Sequence, residues 1–373
     1  MTAEPLRVVG IGGGTGLSVL LAGLSRCAER PWRCPVEISA VVSTADDGGS
    51  TGKLREHMGL PAVGDLRNCI VALAHGHPLW GELFQHRFVG GNGLSGHALG
   101  NLVMAALAER HGGLGPAIEQ LMRPLDLGGR VLPVTEEQVT LCAQLEGGEV
   151  VLGESRIPAA GRRIERLWLC PQAPRPADGV LEAIASADAI VLGPGSLYTS
   201  LLPNLLVDGV ADAVRASGAL RIFISNLMTQ PGETDGFGVA DHLRVVEEYL
   251  GPGAVDVCVV NVTPPPPDLA ARYAAAGSQP VVWDRAGLAR HGVLAVPADL
   301  RGGGPVLDRH DPVRLGEIVL SLAGGLRPEA ELPFEPGAAR PRRDHDAGAS
   351  RCPPPCPARP GAAAEPTTSS RME

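Results

Sequence analysis

This 373-residue chain is predicted to fold as an α/β protein, a mostly parallel sheet with helices on both faces. Three observations carry that expectation. Two strand–glycine turn–helix units follow one another near the start, LRVVGIGGGTGLSVLLAGL and VEISAVVSTADDGGSTGKLREHM. Continuous apolar runs such as AIVLGPG and LRIFISN then alternate with helical patterns, as strands buried on both faces do. The strands also end on Gly, Asp, Ser or Asn, at the edge where open parallel sheets bind ligands.

The elements follow in order. A strand over 6–9 leads into a turn from Gly10 to Gly16 and a helix from about Leu17. A second strand over 36–42 runs on through Asp46 and Asp47 into Gly48, Gly49 and Gly52. Gly64 and Asp65 open a helix over 66–74, and His97 stands at the start of another, with Gly100 and Asn101 one turn in. Between 128 and 170 the pattern changes. RVLPVT, VTLCAQL, EVVLGES and IERLWLC are short β-prone runs with Glu146-Gly147-Gly148-Glu149 as a hairpin turn, so a small antiparallel insertion is expected there. The alternation resumes with a helix over 179–186, the strand in AIVLGPG, a helix over 201–216 and the strand in LRIFISN. A helix over 239–250, a strand over 255–261, a helix through Tyr273 and a last helix over 312–323 complete one domain, expected over 1–326. Residues 327–373 are rich in Pro, Ala, Arg and Glu without apolar periodicity. Such a segment cannot bury enough surface to offset its ordering entropy and is expected to be a disordered tail. Its basic and hydroxyl residues suit regulation by a Ser/Thr kinase.

Glycine turns at strand ends let the backbone approach a ligand and point successive N–H groups at it. A helix that starts there adds the positive end of its dipole, which suits a phosphate. The first turn (Gly12, Gly13, Gly14, Thr15, Gly16) is therefore a candidate phosphate cradle, and the Asp46-Asp47 turn of the next strand is expected to share its crevice. Plain strand–helix connections use glycine too, and two familiar motifs fail here. The dinucleotide fingerprint G-x-G-x-x-G meets Thr15 or Leu17 where its last glycine belongs. In DGGSTGKL the Walker A pattern has Asp47 for its first Gly and Leu54 for the Ser/Thr that holds Mg²⁺. An ordinary dehydrogenase or P-loop ATPase is a poor reading of this Rossmann-like frame.

Composition narrows the classes further. A net charge of −9 and only 3% aromatic residues argue against a nucleic-acid partner. Basic residues near the glycine loops, Lys53, Arg55 and Arg67, still suit a small anionic ligand. No apolar stretch has the length of a membrane span, and the first 20 residues lack a signal peptide's pattern. A cytoplasmic protein without membrane insertion is expected, with its eight scattered cysteines as buried, reduced thiols.

Three more segments carry chemistry. In GLPAVGDLRNCIVALAHG, Asp65 is either a helix cap or, with Asp47, a carboxylate pair for Mg²⁺ beside phosphates. Arg67 and Asn68 lie in the same first turn, within reach of a phosphate. In LSGHALGNLVMAALAE, His97 and Asn101 are candidates, because a glycine inside a helix costs up to ~1 kcal/mol and implies a close neighbour at Gly100. In DAIVLGPGSLYTSLLPNLLV the strand–glycine turn recurs, offering Gly193, Gly195, Ser196, Thr199 and Asn204. The next strand ends at Asn226.

GIGGGTGLSVLL, STADDGGSTGKLR, GDLRNCIVALA, SGHALGNL, VLGPGSLYTSLLPNLL and SNLMTQPGETDGF together resemble the YvcK branch of the CofD-like family, the gluconeogenesis factors, over about residues 6–325. The resemblance implies a Rossmann-like cytoplasmic protein that binds UDP-sugars such as UDP-N-acetylglucosamine and supports cell shape and peptidoglycan synthesis on gluconeogenic carbon sources. It also brings in Tyr273 (LAARYAAAG) and Arg309 (LDRHDP) at the uridine or sugar-diphosphate end. The sister branch, the phospholactate transferases that act on a deazaflavin alcohol, is the enzyme alternative. Its metal aspartates map onto Asp47 (or Asp46) and Asp65. The long DDGGSTGKLR and GPGSLYTSLLPNLL motifs favour the first branch, a nucleotide-sugar-binding regulator. Apolar helices such as that over 201–210 suit a homodimer.

Overall fold

The computed structural model describes residues 4–30, 32, 34–90, 93–303 and 309–325. Ten strands are present: β1 (Leu6–Gly12), β2 (Val36–Val42), β3 (Arg130–Pro133), β4 (Thr140–Leu145), β5 (Val150–Leu152), β6 (Ile164–Cys170), β7 (Ala189–Leu192), β8 (Leu220–Ile224), β9 (Val257–Asn261) and β10 (Leu294–Ala298). Seven of them form one sheet in the order β10-β9-β8-β7-β1-β2-β3, and every pairing in it is parallel. β4, β5 and β6 form a separate antiparallel sheet. The chain first builds outward on one side of β1, then returns to its other side with β7 and builds outward again. The strand order therefore reverses between β1 and β7, which is where open α/β sheets open their ligand crevice.

β1 is apolar along its length because both its faces are covered. Val9 and Ile11 enter one core with Val41, Ile190, Leu192, Phe223 and Val260. Val8 enters the other with Ala40, Val42, Ala189, Val191, Ile222 and Val259. The first core is closed by the helix Val239–Leu250 and by Leu141, Ala143, Ile164, Leu167 and Leu169 of the antiparallel sheet. The second is closed by helices Gly14–Ala28, Gly64–Leu73, Leu99–His111 and Pro312–Ala323.

The structure corrects the sequence reading in three places. RVLPVT belongs not to the antiparallel insertion but to the main sheet, where β3 is the parallel edge strand beside β2. Its Pro133 lacks an N–H to donate, and an edge tolerates that. The single helix expected over 201–216 is a π-helical turn (Leu197–Leu201), a short helix (Leu202–Leu205) and, after Gly209 at φ +73°, the helix Val210–Ala216. Cys170 is disulfide-bonded, whereas Cys27, Cys34, Cys69, Cys142 and Cys258 are free. The tail expected from 327 lies outside the described residues. Among the described residues no helix is long and apolar enough to cross a membrane.

Candidate functional site

A cleft of about 310 Å³ opens at the carboxyl end of β1, β7 and β8. Its floor is the first glycine turn. The helix Gly14–Ala28 starts there without a side-chain cap, after Gly13 in extended conformation. Gly14 sits at φ +62°, a conformation that side chains disfavour. The first-turn N–H groups of a helix lack partners within it. Here Asp65 Oδ2 accepts the Gly14 N–H at 2.6 Å, and Thr15 and Gly16 line the cleft. Gly16 is needed for a second reason: a Cβ there would stand 2.2 Å from the Pro194 carbonyl oxygen. The β1 and β7 loops can touch only because position 16 has no side chain.

The facing wall comes from Pro194, Gly195, Ser196 and Ser200, after a cis Gly193-Pro194 bond. It is tied to the segment that follows β8. The Gly195 N–H donates to Asn226 Oδ1 at 3.3 Å, and Gln230 Nε2 donates to Ser196 Oγ at 2.7 Å. Gln230 Oε1 is buried without a partner. Leu227, Met228, Thr229, Tyr273, Arg309 and His310 complete the lining. A ring nitrogen of His310 bonds the Ser225 carbonyl at 3.0 Å, which holds the 309–310 segment against the β8 loop. The cleft thus brings backbone amides and a helix dipole together with Tyr273 and Arg309.

The predicted site residues fall in three places. Gly13, Gly14, Thr15, Gly16, Gly195, Ser196, Asn226, Tyr273 and Arg309 line the cleft. Gly12, Gly193, Thr199 and Asn204 lie behind its wall. Asn204 is fully buried and its Nδ2 donates to the carbonyls of Gly12, Ser200 and Leu201. Thr199 Oγ1 donates to buried Glu233. Asp46, Asp47, Asp65, Arg67, Asn68, His97 and Asn101 do not line this cleft, but Asp65 meets the glycine turn at the Gly14 N–H.

The three aspartates take different hydrogen-bond partners. Asp46 Oδ1 accepts the Gly48 N–H at 2.8 Å, while Asp47 Oδ1 turns to the Ser155 N–H at 2.9 Å. Arg55, buried beneath this turn, donates to the carbonyls of Ala45, Asp46 and Val139. Burial and the neighbouring Asp46 push the Asp65 carboxyl up to about 6, against the pull of the Gly14 amide and Arg67. Asp46, not Asp47, is thus the neighbouring carboxylate that raises Asp65. Burial, with Asp46, Asp47, Asp65 and Glu233 around it, pushes Glu154 up to about 8. Glu154 comes from the segment after β5, and no local motif marked it. Among the described residues no three His, Cys, Asp or Glu side chains form a metal-holding group. The sequence also gave no signal for Gln230 and His310, although the motif that holds Gln230 supplied Asn226.

The family described as 2-phospho-L-lactate transferase CofD matches residues 8–301. A gluconeogenesis factor of Halalkalibacterium halodurans is 46% identical over 314 residues, 84% of this chain and 95% of its own length. The gluconeogenesis factor of Bacillus subtilis is 40% identical over 316 residues, 85% of this chain and 98% of its own. The crystal structure of a Bacillus halodurans protein superposes with a TM-score of 0.81 at 43% identity, covering 85% of this chain and all of that one.

Proposed function

The chain belongs to the CofD family, on its gluconeogenesis-factor branch, and from that premise we propose that it is a cytoplasmic nucleotide-sugar-binding regulator of growth on gluconeogenic carbon. Its ligand is a UDP-sugar of the kind that feeds cell-wall synthesis, UDP-N-acetylglucosamine. The observation that carries this is the set of groups that line one cleft. The amides of Thr15 and Gly16 and the dipole of the helix Gly14–Ala28 suit a diphosphate. Tyr273 and Arg309 line the same cleft and suit the uridine or sugar. Gln230 lines it too, and its orphaned Oε1 is an acceptor for a ligand N–H or hydroxyl.

Calorimetry tests the reading. UDP-N-acetylglucosamine should bind saturably, and Tyr273→Ala or Arg309→Ala should weaken it by ~1–3 kcal/mol without unfolding the protein. NAD should not bind above background, and saturable micromolar NAD binding would refute the assignment.

A second reading, a Mg²⁺-dependent phospholactate transferase, is favoured by the electrostatic coupling of Asp46 and Asp65. Mg²⁺ is commonly held by one or two carboxylates together with substrate phosphates, and these two residues fit that donor set. When bound, the ion would screen charge on a transferred phosphoryl group. Asp65 would meanwhile hold the Gly14 amide in place. In that case the wild type turns over phospholactate and a deazaflavin alcohol, and Asp65→Asn loses orders of magnitude, since electrostatic groups of this kind are worth ~3–4 kcal/mol. The regulator reading expects no wild-type turnover.

A further inference from the structure

The nucleotide cleft leaves Arg67 unexplained. Arg67 lies in the first turn of the helix Gly64–Leu73 and is only 4% exposed. Its Nη2 donates to Asn68 Oδ1 at 2.8 Å, while Nε and Nη1 are buried with no acceptor. Three N–H hydrogens of a permanently charged group are thus unbonded. The nearby carboxylates attract the charge without relieving those donors. Asp65 Oδ2 is committed to the Gly14 amide and Asp46 Oδ1 to the Gly48 amide. A buried donor with no acceptor is costly, more so when charged, and such groups in native proteins call for an explanation.

The surroundings supply one. The Arg67 stem packs on Gly100, where a Cβ would lie 2.9 Å from Arg67 Cδ. That glycine is forced by the arginine and by Phe84, not by a ligand in the nucleotide cleft. The next residue, Asn101, donates from Nδ2 to Ser50 Oγ at 3.1 Å, and the same hydroxyl meets His97 Nδ1 at 3.0 Å. Asn101 Oδ1 is also buried without a partner. Ser50, Arg67, His97 and Asn101 are all buried, and none of them lines the nucleotide cleft. Burial lowers the Arg67 guanidinium and the His97 imidazole, Arg87 and the carboxylates Asp65 and Asp46 also act on Arg67, and Lys53 and His57 act on His97.

We propose that Arg67, with Asn101, Ser50 and His97, forms a second anion subsite, outside the lining of the nucleotide cleft, that takes the phosphoryl group of a second ligand. Arg67 Nε and Nη1 donate to its oxygens, and Asn101 Oδ1 accepts a hydroxyl from the same ligand. The charged Arg67 fork, with two nitrogens free to donate, suits the oxygens of a phosphoryl group. The protein then binds two anionic ligands. This goes beyond the UDP-sugar reading and does not depend on it.

Wild-type crystals soaked in tungstate, a tetrahedral oxyanion with a strong anomalous signal, locate the site directly. A peak within hydrogen-bond reach of Arg67 Nη1 is expected. A peak at the glycine turn alone, or none, overturns the proposal. In solution, with the cleft saturated by UDP-N-acetylglucosamine, inorganic phosphate should raise the wild-type melting temperature saturably and acetate should not. Arg67→Met should abolish the phosphate effect while keeping UDP-N-acetylglucosamine affinity within about twofold. An undiminished phosphate effect in Arg67→Met, or an acetate effect without a phosphate effect, refutes it. If Arg67→Met does not fold, the tungstate soak still decides. Failure of UDP-N-acetylglucosamine to bind would strike the nucleotide reading and leave the tungstate result standing.

Discussion

Asp65 shows how one side chain can serve two surfaces. Its carboxylate accepts the Gly14 amide, which leaves the amides of Thr15 and Gly16 for the cleft. Two other residues give sharp tests at this scale. Gly16→Ala puts a methyl group 2.2 Å from the Pro194 carbonyl oxygen, and a backbone atom cannot step aside as a side chain would. The β1 and β7 loops must part, so a stability loss of ~1–3 kcal/mol is expected from overpacking. UDP-N-acetylglucosamine affinity should fall with it, as urea titration and calorimetry would show. An unchanged affinity would mean the two loops do not form one site. Glu233, buried behind the cleft wall, accepts from Thr199 Oγ1 and the Tyr198 amide, yet burial still pushes it up from 4.5 to about 7. A carboxyl raised in the folded state holds its proton where the unfolded chain has lost it. Its contribution to stability is therefore full below pH 4.5 and is lost as pH rises through 7. Glu233→Gln keeps an acceptor without the charge, so its unfolding free energy should fall less than the wild type's between pH 5 and pH 8. Parallel pH profiles would contradict this.

Between elements, the helices Gly14–Ala28 and Pro312–Ala323 pack backbone against backbone. A Cβ on Gly23 would overlap the Pro312 carbonyl oxygen at 1.7 Å, and one on Gly316 would lie 2.5 Å from the Gly23 carbonyl. Alanine in a helix is worth up to ~1 kcal/mol over glycine, while overpacking against backbone costs ~1–3 kcal/mol. The second term wins, so Gly23→Ala should destabilise the fold in denaturant titration, and a stabilised variant would show that the helices can separate freely. This scale also shows what the sequence can convey. The helices over 239–250 and 312–323 and the turn at Glu146-Gly147-Gly148-Glu149 were legible because periodicity and turn chemistry are local. β3 was not, since a four-residue apolar run does not say which strand it pairs with or in which direction. β10 went unread because Leu294–Ala298 is short and ends in Pro-Ala. At the site, the motifs announced each loop but not which of them line the cleft together. That depends on β7 returning next to β1, a long-range choice that no window of residues contains.

At the scale of the whole molecule, the reversal of strand order makes the cleft a seam between two halves of the sheet. The turn after β1 supplies one lip, and the segments after β7 and β8 supply the other, joined by the β1–β7 pairing and by the Gly16–Pro194 contact. A ligand in the seam bonds both lips and so stabilises the folded state by mass action, ~2.7 kcal/mol at one hundred times Kd. The antiparallel sheet packs on the face of the main sheet, through Leu141, Ile164 and Leu167. None of its residues lines the cleft. Hydrogen exchange should therefore slow on adding UDP-N-acetylglucosamine at residues 13–16, 195–200 and 226–230 together, while residues 140–152 and 164–170 keep their rates. Protection confined to one lip would mean that the ligand binds a single loop. Protection centred on the antiparallel sheet would place the ligand elsewhere and refute the cleft as the nucleotide site.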